Sequence, residues 1–110
     1  GTRNDVNKLM SAFDVLLMPS IFEGLSVVLV EAQYSCLPAV VSDVMSPQTY
    51  ISNLLHTVSL NENLKIWADK VFQVNNINRE EVFIKQNLFD IRRVAENLYE
   101  KYKYLAESLI

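Results

Sequence analysis

A single cysteine, Cys36, excludes an internal disulfide. With a single histidine, His56, it also leaves no cluster of soft ligands for zinc. Cysteine poverty of this kind fits a reducing compartment. Two glycines and three prolines leave little material for long flexible linkers. No apolar run approaches the roughly 20 residues that span a bilayer, and Gly1 to Asp5 has no signal-peptide character. The 10 lysines and arginines are scattered and the net charge is -3, so the basic stripe of a nucleic-acid reader is missing. No internal repeat and no low-complexity tract interrupts the chain.

The 110 residues are 50% hydrophobic and 21% charged, the composition of one small globular unit with a real core. The abrupt start at Gly1 reads as the edge of a longer protein. Asp5 to Phe13 carries Val6, Leu9, Met10 and Phe13 at helical spacing, with Asp5 as its N-cap. Asp14 to Pro19, "DVLLMP", is short, apolar and stopped by proline, so it reads as a buried strand. Ala39 to Ser42 and His56 to Leu60 read as two more.

After them comes an amphipathic helix with Leu64, Trp67, Ala68 and Val71 on one face. Ser59 with Glu62 has capping-box spacing, and Asn61 is a rival cap. Asn78 with Glu81 predicts a further helix over Val82 to Leu88, and Asp90 caps a long final one. That last helix repeats Ile91, Ala95, Leu98, Tyr102, Leu105 and Leu109, over too few turns for a coiled coil. The order is helix, strand, helix, strand, strand, helix, helix, helix. It predicts an α/β fold, a three-stranded parallel sheet covered on both faces. So thin a sheet suggests half of a larger domain.

Phe22 to Gln33, "FEGLSVVLVEAQ", sets a glutamate near each end of an apolar run. A carboxylate does not enter an apolar interior charged and unpartnered. Ser26 to Val30 is rich in β-branched residues and favours a strand by propensity. Glu31-Ala32-Gln33 favours a helix, opening at Gly24 or Leu25 and ending near Cys36-Leu37 before Pro38. Ligands of open α/β sheets bind beyond the carboxyl ends of the strands. Glu23 would then stand at the crevice mouth, and the free N–H groups of Leu25, Ser26 and Val27 would favour a diphosphate. Gly24 offers no side chain to block close approach. Glu31 would lie about two turns on, sharing a face with Val27, Val30 and Tyr34. Carboxylates accept well from vicinal diols, which suits Glu31 to a ribose and Glu23 to sugar hydroxyls.

"EGLSVVLVEA", two glutamates with seven residues between, resembles the donor-binding motif of the GT-B retaining glycosyltransferases of family four (group 1). Arg3 to Asp43 resembles the second half of that family's C-terminal nucleotide-sugar domain. His56 to Val71 resembles the next segment of its capsule- and exopolysaccharide-type members. The resemblance implies a Rossmann-like half-domain over residues 1–110, with no second domain in the chain. It implies that Glu23 is catalytic and contacts hydroxyls of the transferred sugar. It implies that Gly24, Leu25 and Ser26 present amides to the sugar and diphosphate, and that Glu31 binds the ribose. It further implies transfer with retention from a nucleoside diphosphate sugar to a glycan or lipid-linked acceptor, in bacterial surface polysaccharide synthesis, with no metal and no cofactor. The Arg and Lys that neutralise the diphosphate, and the acceptor site, are expected upstream in an N-terminal domain. The expected location is cytoplasmic, peripheral at the inner face of the membrane. Two departures stand out. The family often has Gly where this chain has Cys36; that Gly fits a helix C-terminus, which predicts a turn here that is either strained or differently built. It often has paired Gly and a later Glu where this chain has "VMSPQ", Val44 to Gln48.

Plainer readings stand beside these. Glu23 can be a solvated loop residue, and Glu31 can pair with Arg3 or Lys8. Met10, Met18 and Trp67 read as core, His56 as a strand-edge residue, and Asp14 and Asp43 as turn residues. The alternative function is a non-catalytic α/β module that self-associates through the final helix. A phosphoacceptor receiver domain ranks low, because the acidic pair and lysine it needs are not found at strand ends.

Overall fold

A computed structural model describes residues 1–84 and 89–109. Its elements are α1 (Val6–Ala12), β1 (Leu16–Met18), α2 (Val27–Tyr34), β2 (Ala39–Ser42), β3 (Leu55–Val58), α3 (Leu64–Val74) and α4 (Ile91–Ser108). Short 3₁₀ turns lie at Pro47–Thr49 and Arg79–Glu81. The strands are parallel in the order β1-β2-β3, with Leu17 opposite Val40 and Val40 opposite His56. The α/β class and the three-stranded parallel sheet agree with the Rossmann-like half expected from the sequence.

Every residue of the central strand β2 is buried. Successive side chains of a strand point to opposite faces, so β2 feeds two cores. Ala39 and Val41 pack with Leu29 of α2 and Met45, joined by Leu16, Met18, Tyr50 and Leu55. Val40 packs the other way, with Val58 and with Trp67 and Val74 of α3. Met10, Ala32 and Leu37 then fasten α1 to α2. The continuous apolar reading of these strands has its cause here: both faces are covered.

The ambiguous segment is helix. Leu29, Val30, Ala32 and Gln33 are its buried residues, a stripe at helical spacing. Burial of that stripe outweighs the weak strand preference of three valines. The exposed side carries Val27, Val28 and Tyr34, so the helix is apolar nearly all round and its period is hidden. It starts at Val27, two or three residues later than expected, with Ser26 at the N-cap position.

Its end explains Cys36. The Cys36 N–H donates to Gln33 O at 3.0 Å and the Leu37 N–H to Ala32 O at 2.9 Å. This is the Schellman arrangement, and it requires a left-handed residue at Cys36, where φ is 54°. Contact between Leu37 and Ala32 completes it. A β-carbon in that conformation costs about 1–2 kcal/mol.

Other helix starts differ from expectation. The cap of α3 is Asn63, whose Oδ1 accepts from the Ile66 N–H at 3.1 Å. Ser59, Asn61 and Glu62 instead form a separate turn before it. On α3, Leu64 is 87% exposed and Ala68 is exposed, and the inward stripe is Trp67, Val71 and Val74. Asp5 occupies the N-cap position of α1 without capping, because its carboxylate is held by the Arg3 guanidinium through two hydrogen bonds. Asp90 does cap α4, accepting from the Arg92 and Arg93 N–H groups. Asn78 starts only the turn Arg79–Glu81. Val82 beyond it is extended, and Ile84 bridges Ser52. The rest of the helix expected over 82–88 lies outside the described residues.

No described residue of α4 is buried, so this helix does not pack on the sheet. No described helix is long and apolar enough to cross a membrane.

His56 lies on the α3 face of β3. Its Nε2 is buried without a partner among the described residues. Burial, and secondarily the Lys70 ammonium, pull its pKa below the ordinary histidine value.

Two tests follow from this packing. Replacing Cys36 with glycine relieves the left-handed strain and should raise the stability by up to about 1 kcal/mol after the extra chain entropy of glycine is counted, read by urea denaturation. For His56, the unfolded chain takes up a proton at a pH where the folded chain still refuses it. Stability should therefore be full above the ordinary histidine pKa and fall as pH drops through and below it. Denaturation midpoints between pH 7.5 and 5.5 should show that slope, and His56→Gln should flatten it.

Candidate functional site

The loop between β1 and α2 starts at Pro19, on the carboxyl side of the sheet. Ser42, the last residue of β2, is fully buried and donates its hydroxyl to the Ser20 carbonyl. The Ser20 hydroxyl in turn lies 3.3 Å from Glu23 Oε1 and donates to it. Glu23 is half-buried, whereas its neighbours Ile21 and Phe22 are 84% and 86% exposed. The loop thus turns its carboxylate in and its two large apolar side chains out.

Gly24 is exposed, has no positive φ, and leaves open space where a β-carbon would stand. Neither conformation nor packing among the described residues demands glycine there. Ser26 is buried at the N-cap position, but its side chain makes no cap. Its hydroxyl instead lies 4.0 Å from Met18 Sδ. The orphan N–H groups at this helix start are those of Ser26, Val27, Val28 and Leu29, not the expected set of Leu25, Ser26 and Val27. Leu25 precedes the helix and is 43% exposed.

Glu31 is exposed on α2. It lines a groove of about 260 Å³ together with Val6, Asn7, Met10, Tyr34 and Ser35, between α1 and α2. The expected companion Tyr34 is present, while Val30 is buried and Val27 lies outside the groove. Glu23 does not line this groove either; it stands at the helix start. At 1.5 Å per residue, Glu31 lies roughly 7 Å along the axis from Ser26.

Neither glutamate pairs with a cation among the described residues, whose ion pairs are Arg3–Asp5 and Lys65–Asp69. Arg3, the expected rival partner of Glu31, is engaged by Asp5. No group of three or more His, Cys, Asp or Glu among the described residues is placed to hold a metal.

Three polar residues with a part in this arrangement escape the sequence reading. Ser20 and Ser42 form the relay to Glu23. Gln33 is fully buried and ties α2 to the segment after β2. Its Nε2 donates to Leu29 O at 3.0 Å and to Thr49 O at 2.7 Å. Its Oε1 accepts from the Ile51 N–H at 3.2 Å and from Ser52 Oγ at 2.8 Å. The available signal was a polar residue four positions from Leu29 on the inward stripe. The "VMSPQ" segment serves the same attachment: Met45 fills the core against Leu29, and Pro47 opens the turn that presents Thr49 O. Burial, then the Asp43 carboxylate, push the nearby Tyr50 phenol above its ordinary pKa.

Comparison with known proteins gives this geometry its context. A family model described as "Glycosyl transferases group 1" matches residues 1–75. The chain is 40% identical over 90 residues to "Putative glycosyltransferase EpsF" of Bacillus subtilis (strain 168), covering 80% of this chain and 23% of that protein. It is 26% identical over 111 residues to the UDP-Gal:alpha-D-GlcNAc-diphosphoundecaprenol alpha-1,3-galactosyltransferase of Escherichia coli, covering 93% of this chain and 28% of that protein. No solved structure matches the chain. The chain spans about a quarter of the length of these two relatives. From residue 1 to the end of α3, then, the strands and the glutamate-bearing helix fall within one family's pattern: the chain belongs to the group 1 glycosyltransferases.

Proposed function

We propose that this chain is the donor-binding part of a retaining glycosyltransferase. The whole enzyme moves a sugar from a nucleoside diphosphate sugar to a glycan or lipid-linked acceptor in bacterial surface polysaccharide synthesis of the capsule type. The observation that carries the reading is Glu31: a carboxylate without a cation among the described residues, in a groove beside an aromatic ring, on a helix whose start has no side-chain cap.

In this reading the Glu31 oxygens accept from the ribose hydroxyls, and Tyr34 supplies an apolar wall. The N–H groups of Ser26 to Leu29 face the diphosphate, with the positive end of the helix dipole behind them. Gly24 leaves the sugar room to approach the backbone. Glu23 keeps one carboxylate oxygen for Ser20 and offers the other to hydroxyls of the transferred sugar. The exposed helix α4 offers its apolar stripe of Ile91, Leu98 and Leu105 to the rest of the enzyme.

The donor and acceptor classes draw on the Escherichia coli relative, whose name specifies UDP-Gal and a diphosphoundecaprenol acceptor. A lipid-linked acceptor would hold the enzyme at a membrane surface, here the cytoplasmic face. The cations for the diphosphate and the acceptor site belong to the remainder of the enzyme, so the chain alone should not turn over.

Hydrogen bonds to a charged group contribute about 1.5–3 kcal/mol each. In the whole enzyme, Glu31→Ala should therefore raise the donor KM by roughly 10- to 100-fold with little change in kcat. Glu23→Ala should lower kcat as well, because its contact is with the group being transferred. Steady-state kinetics with varied donor separate the two patterns. Wild-type constants in both variants would contradict the assignment.

A further inference from the structure

We propose that Ser20, anchored by Ser42, is a positioning residue that sets the orientation of the Glu23 carboxylate and so the enzyme's choice among donor sugars. The inference rests on the donor-binding reading of Glu23 and extends it to a residue outside the glutamate motif.

The first observation is the burial of Ser42. It ends the central strand with no exposed surface, and a buried hydroxyl needs a partner. It finds one in the Ser20 carbonyl, which ties the β1–α2 loop to the carboxyl end of β2. The second is the Ser20 hydroxyl itself, at 3.3 Å from Glu23 Oε1. Catalytic-site hydrogen bonds are often long before ligand binds and shorten in the complex.

The third observation is the inverted partition of the loop. Ile21 and Phe22 are almost fully exposed, while the charged Glu23 is half-buried. Hydrophobic burial would place these side chains the other way round. The polar relay from Ser42 through Ser20 is what the loop satisfies instead. With Oε1 held by Ser20, the carboxylate has one preferred orientation and Oε2 is left to accept from a ligand hydroxyl. A fixed acceptor distinguishes sugars that differ in the direction of one hydroxyl, because the wrong epimer leaves a buried polar group unpaired.

The test uses the whole enzyme with a pair of donors epimeric at one hydroxyl, comparing wild type, Ser20→Ala, Ser20→Thr, Glu23→Ala and Ser20→Ala/Glu23→Ala. Ser20→Ala should lower kcat/KM for the preferred donor about tenfold and shrink the discrimination between epimers by a similar factor, as loss of one charge-assisted hydrogen bond implies. Ser20→Thr keeps the hydroxyl and should retain most activity and selectivity. The double variant should be no slower than Glu23→Ala alone, since Ser20 acts only through that carboxylate. Thermal unfolding of each variant identifies any loss that is mere misfolding, and Ser20→Thr then decides by rescue. Impaired Glu23→Ala with unchanged selectivity in Ser20→Ala, or additive losses in the double variant, would overturn the positioning role. Wild-type kinetics in Glu23→Ala would instead overturn the donor-binding reading beneath it.

Discussion

Inside the core, the carboxamide of Gln33 makes the four hydrogen bonds its chemistry allows, two donated and two accepted. Its partners come from its own helix and from the segment between β2 and β3. A buried amide with all its partners locks orientation, because any rotation of the helix leaves several polar groups unpaired at about 1–3 kcal/mol each. Ser52 extends the network, its Oγ also accepting from the Leu54 N–H beside β3. One side chain thus fixes the rotation of α2 about its axis relative to the strand it precedes and the strand beyond.

Everything at the candidate site inherits that rotation. Leu29, one turn earlier on the same stripe, is pressed onto the sheet, so Val27 and Val28 face outward at the helix start. Glu31 is turned away from the sheet, toward α1 and the groove it lines with Tyr34. The helix end is fixed as firmly by the Schellman bonds at Cys36 and Leu37, and Met10 docks α1 against the result. At the opposite end, Ser42 pins the incoming loop. The motif's two carboxylates therefore sit on a segment held at both ends and along its buried side, the kind of rigid support that the proposed donor contacts require.

Much of the fold was legible because it depends on features that composition displays. Short apolar runs stopped by proline or polar residues become parallel strands when both faces are covered, and β2 is such a run. Asp90 was legible as a cap because nothing among the described residues competes for its carboxylate. Where a competitor exists, the reading fails: Arg3 takes the Asp5 carboxylate, and Asn63 outbids Ser59 and Asn61 by its position one residue before α3. The helical nature of "VVLVEAQY" was hidden by its apolar outer face. At the site, the glutamate pair is visible as charge set in an apolar run. Gln33, Ser20 and Ser42 are not, since Gln33 is fixed by partners from 16 to 19 residues away and Ser20 by Ser42, 22 residues away, pairs that only the tertiary fold brings within hydrogen-bond distance.

The central claim is that the helix held by Gln33 presents its amides and Glu31 to a nucleoside diphosphate. A crystal structure of the whole enzyme with its nucleotide sugar bound tests this most directly. The account predicts ribose hydroxyls within hydrogen-bond distance of the Glu31 carboxylate and the diphosphate facing the N–H groups of Ser26 to Leu29. A nucleotide bound on another face of the sheet, with Glu31 left in solvent, would contradict it.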